Sequence, residues 1–146
     1  MKKKLIAAIA VAFVVAAAPV AQAKATVIAS PTDHISQKHG VVAFRFANLP
    51  AKNGVYVEEC MAPATAGAKP TVCNADQSAQ AWVSNVKSDL AQGATSGKGR
   101  IKFKPALYFK GGDCLHTTCV FFITNDHNAA GDKSQDQIIP FTFSAK

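Results

Sequence analysis

Four cysteines fall into two sequence-local pairs, Cys60 with Cys73 and Cys114 with Cys119, each at the edge of an apolar run rich in β-formers. Thiols spaced this way point to staples across hairpin-scale loops, and away from metal or redox chemistry. Neither pair has the C-x2-C spacing of a zinc site, and no histidine stands at ligand spacing beside them. In the chain-entropy account a bridge over the first loop adds about 3 kcal/mol and one over the second about 2. A domain of this size is stable by only about 5–15 kcal/mol, so staples of that strength decide whether it folds. Four cysteines allow three pairings, and spacing alone does not choose among them.

The first residues predict an export signal. Lys2, Lys3 and Lys4 make a positive start, Leu5 to Ala18 is apolar, and Ala21-Gln22-Ala23 offers a small-x-small cleavage site before Lys24. The apolar run is shorter than the roughly 20 residues needed to span a bilayer, and no later stretch replaces it. Residues 1–23 are therefore expected to be a cleaved signal, with 24–146 as one exported domain, outside the cell or in its envelope. Without the three leader lysines the balance is 13 basic against 9 acidic residues, a net charge of +4. That charge favours solubility and mild attraction to anionic surfaces, and does not by itself imply nucleic-acid binding.

Beyond the leader, short period-two runs alternate with Gly, Pro, Asn and Asp clusters. Seven strands are expected: Ala25 to Ala29, Val41 to Ala47, Val55 to Met61, Ala79 to Lys87, Gly97 to Lys104, Val120 to Asn125 and Ile138 to Phe143. Turns every 8–15 residues predict an all-β antiparallel sandwich of seven strands. A Cys60–Cys73 bridge would close a small β-ribbon, and Leu90 to Gly99 would join two adjacent strands as a flexible loop. Asn53-Gly54 turns the chain into the third strand.

Candidate chemistry is sparse. Glu58 and Glu59 are neighbours on a strand, so they point to opposite faces and form no catalytic pair; Glu59 is expected at the strand end in water. His34, His39, His116 and His127 read as solvated loop histidines. The weaker alternative sets His116 and His127 side by side, with Asp113 or Asp126, as a surface metal site. No nucleophile elbow, metalloprotease helix or phosphate loop is present, so no enzyme is expected. Arg100, Lys102 and Lys104 alternate on one strand opposite Ile101 and Phe103. They predict a weak contact to an anionic surface or DNA, weighed against an outward face that protects a sheet edge.

The segments Tyr56-Val57-Glu58-Glu59-Cys60, Val72-Cys73-Asn74-Ala75-Asp76 and Gly112-Asp113-Cys114-Leu115-His116-Thr117-Thr118-Cys119 carry a further signal. With Asn128-Ala129-Ala130-Gly131, the closing Phe141-Thr142-Phe143-Ser144 and the opening Ala25-Thr26-Val27, their order and cysteine gaps resemble the neocarzinostatin family. These are secreted apoproteins that carry enediyne chromophores. The resemblance covers essentially the whole exported chain, in cysteine framework and strand order more than in residue identity.

That resemblance implies an immunoglobulin-like sandwich, bridges Cys60–Cys73 and Cys114–Cys119, and a ligand cleft beside the first bridge. It implies a carrier, expected to be a monomer, whose antibiotic and DNA-directed chemistry belongs to a non-covalently held chromophore or other apolar or amphipathic small molecule. One cleft wall would be Tyr56, Glu58, Cys60 and Ala62, which alternation places on one face, and the opposite wall Val120, Phe122 and Thr124. Phe109 matches a ligand-contacting aromatic, and Trp82 falls near another, offset by several residues. Glu58 stands where the family has glycine and Ala62 where it has tryptophan. A flat guest thereby loses close backbone approach and an aromatic wall, so the expected guest differs from a familiar enediyne. The competing expectation is an envelope or surface interaction domain with no small-molecule ligand.

Overall fold

A computed structural model describes residues 23–145. The leader expected over residues 1–23 lies, except for Ala23, outside the described residues. The described chain is all-β in character. Each of the seven expected runs holds a strand: β1 (Thr26–Ser30), β2 (Val42–Ala47), β3 (Val55–Met61), β4 (Gln80–Ser84), β6 (Ile101–Phe103), β9 (Cys119–Asn125) and β10 (Gln137–Phe141). Three two-residue strands are additional: β5 (Thr95–Ser96), β7 (Tyr108–Phe109) and β8 (Gly112–Asp113).

The strands form a three-stranded sheet, β1-β2-β6, and a five-stranded sheet, β10-β9-β3-β4-β5, with β7-β8 as a separate hairpin. Pairing is antiparallel except between β4 and β5. Alternation decides which side chains meet between the sheets. Val42, Phe44 and Phe103 come from one sheet and Val55, Val57, Val83, Phe121, Ile123 and Phe141 from the other, in a single buried cluster. Phe121 is its hub. Its ring meets Phe44 edge-on at 5.0 Å and Phe103 at 5.3 Å, and stacks on Phe141 at 4.3 Å. Each fully buried phenylalanine contributes about 1.5–3 kcal/mol of transfer free energy.

Both bridges are local, Cys60–Cys73 and Cys114–Cys119. The segment they were expected to shape differs, however. Cys73 makes only an isolated bridge with Cys60, and Ala62 to Val72 is an irregular loop, not a ribbon. Proline at 63 and 70, with glycine at 67, leaves no run able to pair.

The stretch after β4 also departs from expectation. β4 stops at Ser84, a short helix α1 spans Lys87–Ala91, and β5 follows. Side chains drive this: the Ser84 hydroxyl donates to Asp89 at 2.7 Å and accepts the Val86 N–H at 3.0 Å, a local network that competes with strand pairing. β4 and β6 lie in different sheets, so the connection crosses between sheets and does not join adjacent strands. Gly97 sits where an added Cβ would come within 2.2 Å of Leu49. Asn53-Gly54 likewise leads from one sheet to the other. Both residues are buried, and a Cβ at Gly54 would approach Val83 O to 2.6 Å.

Candidate functional site

The outward face of the five-stranded sheet carries most of the residues singled out in the sequence. Across β3 and β9, Tyr56 lies opposite Thr124, Glu58 opposite Phe122 and Cys60 opposite Val120. The two sets were expected to face each other as walls. β3 and β9 are hydrogen-bonded neighbours instead, so the sets form one continuous floor. The facing wall is the loop after β3. It is held by the Cys60–Cys73 bridge and by backbone bonds from Met61 N to Val72 O (2.9 Å) and Ala62 N to Thr118 O (3.1 Å).

Between loop and sheet lies a groove of about 600 Å3. Val120, Phe122, Ile138 and Pro140 line its floor, and Ala62, Pro63 and Ala66 line its wall. Lys24, Lys69 and Asp136 border it; Asp136 accepts the Thr124 hydroxyl at 2.8 Å. The Lys69 ammonium lies 5.5 Å from the centre of the Phe122 ring, a cation–π distance. Cys60, Val120 and Phe122 are buried together beneath Ala62, Cys73 and Ile138. Glu58 is half-buried beside them; burial pushes its carboxyl up, and the Lys69 charge opposes that shift.

Ala62, Val120 and Phe122 line the groove, Cys60 lies under it, and Glu58 pairs with the Phe122 position at its side. Tyr56, Trp82 and Thr124 share the same sheet face farther along. Phe109 does not join them. It belongs to the β7-β8 hairpin, where Gly111 at φ 84° turns the chain, and its ring packs over Gly112 and against the interior cluster.

At the far end of this face Tyr56, Trp82 and His127 form an aromatic group. The Tyr56 hydroxyl and His127 Nδ1 are 2.6 Å apart, and the Trp82 and His127 ring centres are 4.9 Å apart. Trp82 Nε1 donates to the fully buried Asp126 at 2.9 Å, and the Gly54 N–H donates to the same oxygen at 2.7 Å. Burial, then the charge of Asp126, pushes the Tyr56 phenol above its ordinary value.

His127 is therefore an aromatic partner and not an isolated loop residue, and it is not a neighbour of His116. They flank opposite ends of the seven-residue strand β9, about 20 Å apart at roughly 3.3 Å per residue. His116 instead pairs with Asp113 at 2.9 Å on the surface, and that hydrogen bond holds the Asp113 carboxyl down.

Glu58, Cys60 and Cys73 come within mutual ligand distance. The bridge ties up both sulfurs, so this group offers a metal a single carboxylate and does not fit one.

Glu59 overturns its expectation most clearly. It is fully buried on the inner face; Asn74 Nδ2 donates to it at 3.0 Å and the Ala106 N–H at 2.9 Å. Burial pushes its carboxyl up, against the pull of those two bonds. The parity of Val55, Val57 and Glu59 already carried this placement.

Sequence reasoning missed Ile138, Pro140, Pro63, Ala66 and Lys69 as groove residues. The available signal was Ile138 itself, an apolar residue on the outward parity of a strand whose Ile139 and Phe141 point in. No family model, curated protein or solved structure matches this chain.

Proposed function

We propose that the chain is an exported, non-enzymatic carrier that holds an apolar or amphipathic small molecule in the groove beside the Cys60–Cys73 bridge. The observation that carries this reading is the groove: about 600 Å3 with an apolar floor and a few charges at its edge, within the roughly 300–1,000 Å3 typical of small-molecule sites. A wall tethered covalently to the floor supports it further, since a pre-formed site lowers the ordering cost of binding.

On this reading the fold is a seven-stranded immunoglobulin-like sandwich of the neocarzinostatin type. The sheet orders β1-β2-β6 and β10-β9-β3-β4 support it, having the arrangement of strands A, B and E against G, F, C and C′. The cysteine framework supports it as well. Glu58 and Lys69 give the groove a polar edge that suits an amphipathic guest better than a flat aromatic one. Tyr56 and Trp82, farther along the face, would meet only a long ligand.

Titration with an apolar fluorescent probe tests the proposal. Wild type should take up one probe per chain. Ile138→Asp, which sets a carboxylate on the floor, should weaken uptake at least about tenfold, or 1.4 kcal/mol, with the melting temperature as the folding control. No uptake by wild type, or equal uptake by a folded Ile138→Asp, contradicts the proposal.

A further inference from the structure

The opposite side of the molecule, the outward face of β1-β2-β6, has a different chemistry. Its outward positions include Ile28 and Ser30 on β1, Ala43 and Arg45 on β2, and Lys102 on β6. The register pairs Phe44 with Ile101, so the next outward pair on this ladder is Arg45 and Arg100. These arginines, with Ile28, Ser30 and Ala43, line a hollow of about 190 Å3.

Arg45, Arg100, Lys98, Lys102 and Lys104 are all exposed. None of the three strands contains an acidic residue. Among the described residues no carboxylate lies within ion-pair distance of either arginine, the only pair found being His116–Asp113. Ile28 is 59% exposed and Val41 39%, so aliphatic side chains stand among the cations. Sequence alternation found the β6 half of this face; Arg45 and Ile28 join it only through strand pairing.

We propose that this face docks on an anionic phospholipid surface, with lipid phosphate held between Arg45 and Arg100 and Ile28 reaching into the interfacial layer. Cations attract an anionic leaflet, and Arg forks match phosphate oxygens. The exposed aliphatics favour lipid over a soluble polyanion, which has no apolar layer to receive them. No aromatic lies among the charges to stack on bases. This face is separate from the groove, so the proposal stands or falls independently of the carrier reading.

Co-sedimentation of the exported chain with vesicles tests it. The chain should pellet with phosphatidylglycerol–phosphatidylcholine vesicles at low salt and not with phosphatidylcholine alone. High salt should release it. Arg45→Gln/Arg100→Gln should lower partitioning about 30-fold, and Ile28→Ser should lower it at low salt without changing how steeply salt weakens binding. The melting temperature should be unchanged in both variants, which reports folding separately. Failure to pellet, equal binding to neutral vesicles, or undiminished binding by the folded double variant overturns the proposal. So does tight binding to soluble polyphosphate by a chain that ignores vesicles.

Discussion

Glu58 and Glu59 are chemically identical neighbours with opposite fates. The pleat sends Glu58 outward beside Lys69 and Phe122, and Glu59 inward to Asn74 and the Ala106 N–H. Glu59→Ala would leave the buried Asn74 amide and the half-buried Ala106 N–H without this partner. Each unsatisfied group costs about 1–3 kcal/mol, so urea denaturation should show a loss of about 2–6 kcal/mol. Both glutamates have carboxyls raised above 4.5, so the folded state binds protons more tightly than the unfolded one. Their stabilising protonation is complete below that value and is lost as pH rises through the folded values. Asp76 and Asp113, held below 3.8, act only at lower pH and with the opposite sign. The urea midpoint should therefore fall as pH rises from 4.5, and Glu59→Gln should flatten that fall. A midpoint that rises over this range contradicts the burial argument.

At the scale of elements the two bridges differ in what they hold. Cys60–Cys73 closes a loop with sequence separation 13, and Cys114–Cys119 one of 5. Removing them as Ala pairs should cost about 3 and about 2 kcal/mol. Only Cys60→Ala/Cys73→Ala should also abolish probe uptake, because only that bridge ties the groove wall to its floor. Equal uptake by both variants would separate the loop from binding.

Alternation made β3 legible to the residue, Val55 to Met61, and placed Tyr56, Glu58 and Cys60 on one face. It could not say that β9 lies beside β3 and not across from it, since pairing partners are long-range facts. The helix α1 and strands β5, β7 and β8 were illegible for a simpler reason. Two to five residues carry no period, and the Ser84–Asp89 contact that bends the chain is a side-chain event.

For the whole molecule, one interior cluster separates two unlike outward faces. The five-stranded sheet presents an apolar groove under a bridged loop, and the three-stranded sheet presents exposed cations with no acid among them. Among the described residues no helix is long and apolar enough to cross a membrane. On the readings proposed here, a chain resting on its cationic face turns its groove away from the lipid, free to load or release a guest.

Native mass spectrometry of the protein taken from its producing cells tests that loading most directly. The account predicts one recurring small-molecule mass above that of the disulfide-bonded polypeptide, absent from Ile138→Asp prepared the same way. The bare polypeptide mass in every preparation, or the same adduct on the folded variant, contradicts it.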